Sequence, residues 1–252
     1  MGSLEGIVSK LDDADQAAAW QAWQSLLRIV TVLPGADAAQ QARSAAMLAA
    51  ELTETVPGGK DQEGRDKPPV PRYSTAVREK LLRLLGHVAG PAEVPAIAGA
   101  MQDRRLREAA RCALARDPSD EATAALIGAL ESQDGPEFRA ALVTALAGRP
   151  AGRIMPALQK AAQDEDMEVR LAAIEVLGTV PDPAGDALIA EACRCACPRT
   201  RTAAFAARLR LAEALAGAGN RDAARAIYKA ILAADPPGPQ KQAAQTGLKA
   251  AG

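Results

Sequence analysis

Apolar residues recur through the middle of the chain at α-helical spacing, and the spacing itself repeats. The segments VREKLLRLLG (77–86), LREAARCALA (106–115), FRAALVTALA (138–147) and VRLAAIEVLG (169–178) each place an apolar residue, then Arg, then further apolar positions. The arginines are Arg78, Arg107, Arg139 and Arg170, separated by 29, 32 and 31 residues. Seven residues beyond each stands Leu85, Leu114, Leu146 or Leu177, and three beyond stands Leu81, Ala110, Leu142 or Ala173. Together with the residue before the Arg and the one eight beyond it, these positions draw one apolar stripe along a helix of 3.6 residues per turn. Eight residues beyond the Arg the chain has only small residues, Gly86, Ala115, Ala147 and Gly178. A small residue there lets the chain turn or a neighbour come close.

Between these helices runs a second set, PAEVPAIAGAM (91–101), DEATAALIGAL (120–130), AGRIMPALQKA (151–161) and AGDALIAEACR (184–194). Connections rich in Pro, Gly and Asp, such as Asp117-Pro118 and Pro181-Asp182-Pro183, stop each helix and set a turn. Each period is therefore a helical hairpin. Two helices of about 12 residues cannot cover their own apolar stripe, so the hairpins are predicted to stack in a row.

The pattern apolar-Arg-x-x-apolar-x-x-x-Leu-Gly on the second helix, with Pro or Ala-Leu on the first, resembles HEAT and HEAT-like repeats over residues 74–180. The resemblance implies an all-α solenoid of antiparallel hairpins, with about 12–13 helices in this chain. It also implies that the recurrent Arg meets an acidic residue near the turn of a neighbouring repeat. Asp103, Asp134 and Asp164 or Asp166 stand where such a ladder would place them. These charges orient repeats and do no chemistry.

The flanks depart from the period. Residues 1–56 read as two longer helices meeting near Pro34-Gly35, a cap whose Trp20 and Trp23 plug the open end of the stack. Residues 57–73, with three Gly and four Pro among mixed charges, read as a flexible loop, and its PPVP stretch as plain linker. In the C-terminal part, 181–252, the next in-phase Arg is Arg201, but seven residues on stands Arg208 in place of Leu. The stripe resumes from Arg208 at Leu211 and Leu215, which predicts one longer helix over about 199–217. The run 224–236 has an Ala-x-x-x-Tyr spacing that resembles a tetratricopeptide second helix; a variant HEAT unit capped by the polar helix 238–250 accounts for it equally well.

Composition sharpens this picture. Hydrophobic residues make up 48% of the 252, yet aromatics only 2%, so the core is built of small aliphatic side chains and many close helix contacts. Strand formers are scarce, which argues against a sheet. Thirty basic residues face 31 acidic ones, a balance that argues against nucleic acid as a partner. No window approaches a membrane span, so no membrane association is expected. The start MGSLEGIVSK has no basic segment followed by an apolar one, and a cytoplasmic location is expected; Met-Gly-Ser is also the form that a cloning remnant takes after loss of a native signal. Cys112, Cys193, Cys195 and Cys197 do not make a disulfide framework.

The search for chemistry is brief. His87 is the sole histidine and sits where a helix ends, which leaves little room for His-dependent catalysis. Phosphate-loop, dinucleotide and zinc-protease motifs are missing. Asp164, Glu165 and Asp166 stand at a helix start, where carboxylates cap exposed amides. Cys193 and Cys197 lie one helical turn apart with Cys195 pointing away, a poor set of zinc ligands, and read as small apolar residues. No catalytic residue, metal site or cofactor is assigned.

Two features remain as candidate recognition residues. Four residues beyond the repeat Arg, three repeats carry Leu82, Val143 and Ile174, but the second carries Arg111. Arg194, Arg199, Arg201, Arg208 and Arg210 form a basic run with no acid until Glu213. The second helices would present Glu79, Arg83, Glu108, Cys112, Thr144 and Glu175 on one surface. The expectation is a non-enzymatic protein-binding or scaffolding module, its partner protein left open. HEAT-like folds also occur in bilin-attaching lyases and alkylpurine DNA glycosylases, so an enzyme or enzyme subunit is the alternative class; scarce aromatics count against base handling.

Overall fold

A computed structural model describes residues 4–32, 38–132 and 135–251. Fourteen α-helices run through the described residues, joined by turns and accompanied by one two-stranded ladder. The fold is all-α. The chain divides into two compact units, Met1–Ala129 and Leu130–Gly252.

The first unit opens with α1 (Leu4–Val8), a 3-10 turn over Ser9–Asp12, α2 (Gln16–Val32) and α3 (Ala38–Thr53). The short α1 is the one helix that periodicity did not predict. The Pro34-Gly35 joint lies outside the described residues. On α2 the buried stripe is Ala22, Leu26 and Val30. Trp20, two residues before that stripe, falls on the opposite side of the helix and is 63% exposed. The expectation of two tryptophans plugging an end is corrected: Trp20 points to solvent and Trp23 is half-buried.

The segment 57–73 carries backbone pairing. Strands β1 (Thr55–Val56) and β2 (Val70–Pro71) pair antiparallel, and Lys60 bridges Asp66 further out. At its base Arg72 pairs with Glu54 at 2.7 Å and Glu5 at 2.8 Å, and the Tyr73 hydroxyl donates to Glu51 at 2.6 Å. The PPVP stretch is thus half strand.

Then come α4 (Thr75–Val88), α5 (Val94–Ala100), α6 (Arg107–Arg116) and α7 (Asp120–Ser132). The second unit holds α8 (Pro136–Ala145), α9 (Ala151–Ala161), α10 (Met167–Leu177), α11 (Gly185–Ala192), α12 (Pro198–Gly217), α13 (Arg221–Ala233) and α14 (Gly238–Ala250). The long α12 and the terminal α14 occupy the spans that the sequence predicted. Second helices pack on second helices, α4 on α6 in one unit and α8 on α10 on α12 in the other.

The stripe positions before the Arg and three and seven beyond it are all buried: Val77, Leu81 and Leu85; Leu106, Ala110 and Leu114; Phe138, Leu142 and Leu146; Val169, Ala173 and Leu177. Of the small residues eight beyond it, Gly178 is buried, Gly86 and Ala115 are half-buried and Ala147 is exposed. The small residue serves both expected ends: Ala147 and Gly178 stand in turns after their helices, and Gly86 and Gly178 admit a neighbouring backbone. A β-carbon on Gly178 would lie 2.7 Å from the Ala207 carbonyl oxygen and 2.9 Å from its Cα. On Gly86 it would meet the Ala113 Cα at 3.2 Å. In both repeats the partner alanine lies six residues beyond the next repeat Arg position. The tyrosine of 224–236 is accounted for in the same way: Tyr228 is buried, and a β-carbon on Gly247 of α14 would fall inside its ring, 2.3 Å from Cζ.

Gly178→Ala should therefore cost about 1–3 kcal/mol, because backbone must move to admit a methyl group. Gly128→Ala, inside α7 with nothing within 4 Å of the added carbon, should be neutral or stabilising by about 0.5–1 kcal/mol. Urea unfolding of the two variants beside the parent protein checks the contrast.

Candidate functional site

The repeat arginines build the expected ladder where the structure describes both partners. Arg78 Nη1 lies 3.6 Å from Asp103 Oδ2, and Arg139 Nη2 lies 3.0 Å from Asp164 Oδ1. Each pair spans 25 residues, linking a second helix to the turn of the next hairpin. Both guanidiniums bury Nε without a hydrogen-bond partner, a cost that marks them as wedged between helices and not poised for ligand. Asp134, the expected partner of Arg107, lies outside the described residues. Arg170 departs from the ladder: its Nη1 donates to the carbonyls of Asp164 and Glu165 at 2.6 and 2.8 Å. The residue 25 places beyond it is Cys195, which offers no carboxylate.

Helix caps share the same register. Four residues before the repeat arginines, Ser74 accepts the Val77 N–H and Asp166 accepts those of Glu168 and Val169. Cys197 takes this place in α12. Its thiol is held below the ordinary value first by the Thr200 backbone N–H, then by the Thr200 hydroxyl and the Arg199 N–H. Burial instead pushes the Cys193 thiol up. The reading of Cys193 and Cys197 as one helical face is corrected, because α11 ends at Ala192 and the chain turns before Pro198. Only Cys193 is buried; Cys195 and Cys197 are half-buried and Cys112 exposed.

Arg111 is not a free recognition residue. It makes a forked contact with Glu108, Nε to Oε2 at 3.0 Å and Nη2 to Oε1 at 2.5 Å, and Nη2 also reaches Cys112 Sγ at 3.2 Å. One turn of helix brings these groups together, so a polar residue at an otherwise apolar position is satisfied locally. The Arg111 hydrogen bonds hold Glu108 below its ordinary value against the opposing effect of burial. At the end of α4, His87 Nε2 lies 3.1 Å from Arg116 Nη1.

The basic run divides four ways. Arg208 is corrected from a solvated candidate to a buried ion pair: it is 6% exposed, and its Nε and Nη2 bind Asp186 at 2.6 and 2.9 Å, tying α12 to α11. Arg199 binds Glu168 of α10 with Nη1 at 2.6 Å and Nη2 at 3.0 Å. Arg201 gives one N–H to the Cys195 carbonyl at 3.2 Å. Arg194 and Arg210 are exposed.

Two grooves follow the second helices. In the first unit, Leu82, Gly86, Ala109 and Ala113 floor a groove of about 450 Å³ between α4 and α6. Its walls are Glu79 with Arg83, paired at 2.6 Å, Glu108 with Cys112, and Arg105 and Arg116. In the second unit, Ala140, Ala141, Ala172 and Ala203 floor one of about 250 Å³ across α8, α10 and α12, with Thr144, Glu175, Glu168 and Arg199 at its edges. The predicted surface residues thus do share a surface within each unit. Sequence reasoning missed Arg199–Glu168, although their 31-residue separation is one repeat length and could have flagged it.

This geometry defines the class: helical hairpins stacked through their second helices, with small-residue grooves along them. Residues 123–207 match the family model of HEAT repeats, so this part of the chain carries HEAT-like repeats. A chain of an S. pombe condensin subcomplex superposes with a TM-score of 0.50 at 15% identity, covering 91% of this chain and 32% of that one. A TOG domain of Drosophila melanogaster Mini spindles gives 0.49 at 18% identity, over 80% of this chain and 91% of its own. The CpcE–CpcF phycocyanin lyase complex of Nostoc sp. gives 0.45 at 17% identity, over 100% of this chain and 95% of that one. No curated protein matches the chain in sequence.

Asp186→Ala should cost about 3–5 kcal/mol in urea unfolding, since it strands the Arg208 charge in the core, whereas Arg210→Ala should stay within about 0.5 kcal/mol. A pH effect follows from the ladder. Burial acts upward on Asp164, but the Asp166 N–H and the Arg139 guanidinium outweigh it and set its carboxyl below the ordinary 3.8. The stabilisation is complete above that value and is lost as pH falls through the lower folded one. Asp164→Asn should thus lose less stability than the parent protein between about pH 5 and about pH 2.5, read by urea midpoints.

Proposed function

We propose that this chain is a non-enzymatic protein-binding module whose contact surface is the row of second-helix grooves. The observation that carries this reading is their construction. Alanine and glycine floors allow a partner backbone or helix to come close, and much of the bordering charge is already bound within the protein, Glu79 to Arg83, Glu108 to Arg111 and Glu168 to Arg199. Such a surface gives shape and hydrogen-bonding edges for a segment laid along it. Its fixed charge pairs keep the walls in place without a partner, which lowers the ordering cost of binding.

The test is affinity capture by the purified chain from its native lysate, with the captured proteins compared between the parent and variants that melt alike. Ala141→Glu puts a charge on the floor of the α8–α10 groove and should reduce the captured partner at least about ten-fold, in the manner of a central interface position. Gln163→Glu, exposed just beyond α9, should capture as the parent does. Specific partners held equally by Ala141→Glu, or no partner above background, would sink the proposal.

A further inference from the structure

A third groove, in the second unit, is of another kind. The end of α11, the first half of α12, the end of α13 and the bend at Asp235–Pro237 enclose about 930 Å³. Arg194, Arg201 and Arg208 line it, so three arginines scattered in the sequence reach one place. Arg201 and Arg208 are seven residues apart, two turns of one helix, and share a face. Arg194 joins them from the turn that follows α11.

Carboxylates are scarcer in this lining than in those of the second-helix grooves. Arg208 is matched by Asp186 inside the core. The one carboxylate in the lining, Asp235, is held by Lys241 at 3.0 Å. Arg194 and Arg201 have no carboxylate partner among the described residues, and Arg201 spends one N–H on the Cys195 carbonyl. Burial keeps the neighbouring Cys193 thiol protonated, so it adds no negative charge. What remains is two unmatched guanidiniums over a wall of Ala190, Ala230 and Ala233, with Phe205 sealed beneath at 3% exposure.

We propose that this groove binds an acidic peptide segment of a partner protein, with Arg194 and Arg201 taking its carboxylates and the alanine wall taking its aliphatic stems. Guanidinium forks suit carboxylates, and a partly enclosed apolar wall strengthens the contact. Nucleic acid fits less well. Phe205, the aromatic residue of the lining, is buried and offers no face for a base to stack on, and the chain has no net positive charge to attract a polyanion. This inference rests on the reading of the chain as a protein-binding module, but it uses a different groove and is tested apart from it.

The experiment is fluorescence anisotropy of the full chain with a fluorescein-labelled hexaglutamate peptide, and with a labelled oligothymidylate of equal length. Hexaglutamate should bind saturably at about 50 mM salt and weaken strongly towards about 500 mM. Arg194→Ala with Arg201→Ala should weaken it at least about ten-fold, the equivalent of one strong charge-assisted contact. Arg194 is exposed and Arg201 half-buried, and unchanged melting of that variant confirms the fold. Arg210→Ala, exposed on the same helix, and Ala141→Glu in the other groove should bind as the parent does. The proposal is overturned by no saturable hexaglutamate binding at low salt, by tighter binding of oligothymidylate, or by equal loss in Arg210→Ala. If peptide binding fails while Ala141→Glu still abolishes partner capture, only this inference falls and the module reading stands.

Discussion

Contact between second helices is set by how closely their backbones can approach, and that distance depends on single small residues. Where Gly178 meets Ala207, the glycine has no room for a side chain, and the Gly86–Ala113 contact repeats the arrangement more loosely. Nearly everything else in each unit follows from it. A stripe of Leu, Val and Ala can be fully buried only if the next helix lies near enough to close it, and the low aromatic content leaves no large side chain to fill a wider gap. The same close spacing makes the grooves shallow and floors them with alanine.

Charge then fixes what apolar packing leaves free. A row of similar hairpins could slide in register, because one leucine stripe resembles the next. Arg78–Asp103 and Arg139–Asp164 tie a helix to a specific turn, and Arg208–Asp186 ties α12 to α11 where the stripe shifts by seven residues. Such partly buried pairs contribute modest net stability, since desolvation offsets much of their attraction, but each is costly to break on one side only. Their use is positional. The arginines of the α11–α13 groove, Arg194 and Arg201, differ in kind, because no carboxylate among the described residues answers their charge.

The arginine run illustrates how one sequence feature separates into several physical roles. Five basic residues between 194 and 210 look alike on paper. Helical geometry sends Arg208 inward, Arg199 across to α10, Arg194 and Arg201 into a groove and Arg210 to solvent. Arg111 is a similar case: an apparent exception to the apolar pattern is resolved by a carboxylate three residues earlier on its own helix. Cys197 stands where other repeats have Ser74, Gly135 or Asp166 at the helix N-cap, so a cap position and a thiol coincide.

The sequence by itself determined every helix but α1, the repeat length, the buried stripe, the long α12 and two rungs of the ladder, because these depend on spacing along one helix or on an offset that recurs. It also marked the residues of the second-helix surface, since a helix with one face buried has its other face exposed. What only the tertiary structure decided depends on partners distant in sequence. The burial of Arg208 needed Asp186, the Arg199–Glu168 fork needed α10 beside α12, and the gathering of Arg194 and Arg201 needed the end of α13 to close the groove. The outward turn of Trp20 was available from its offset to the Ala22, Leu26 and Val30 stripe, but only once packing had shown which stripe of α2 is buried. Side-chain pairing across elements has no period to read, and that is why the site was less legible than the fold.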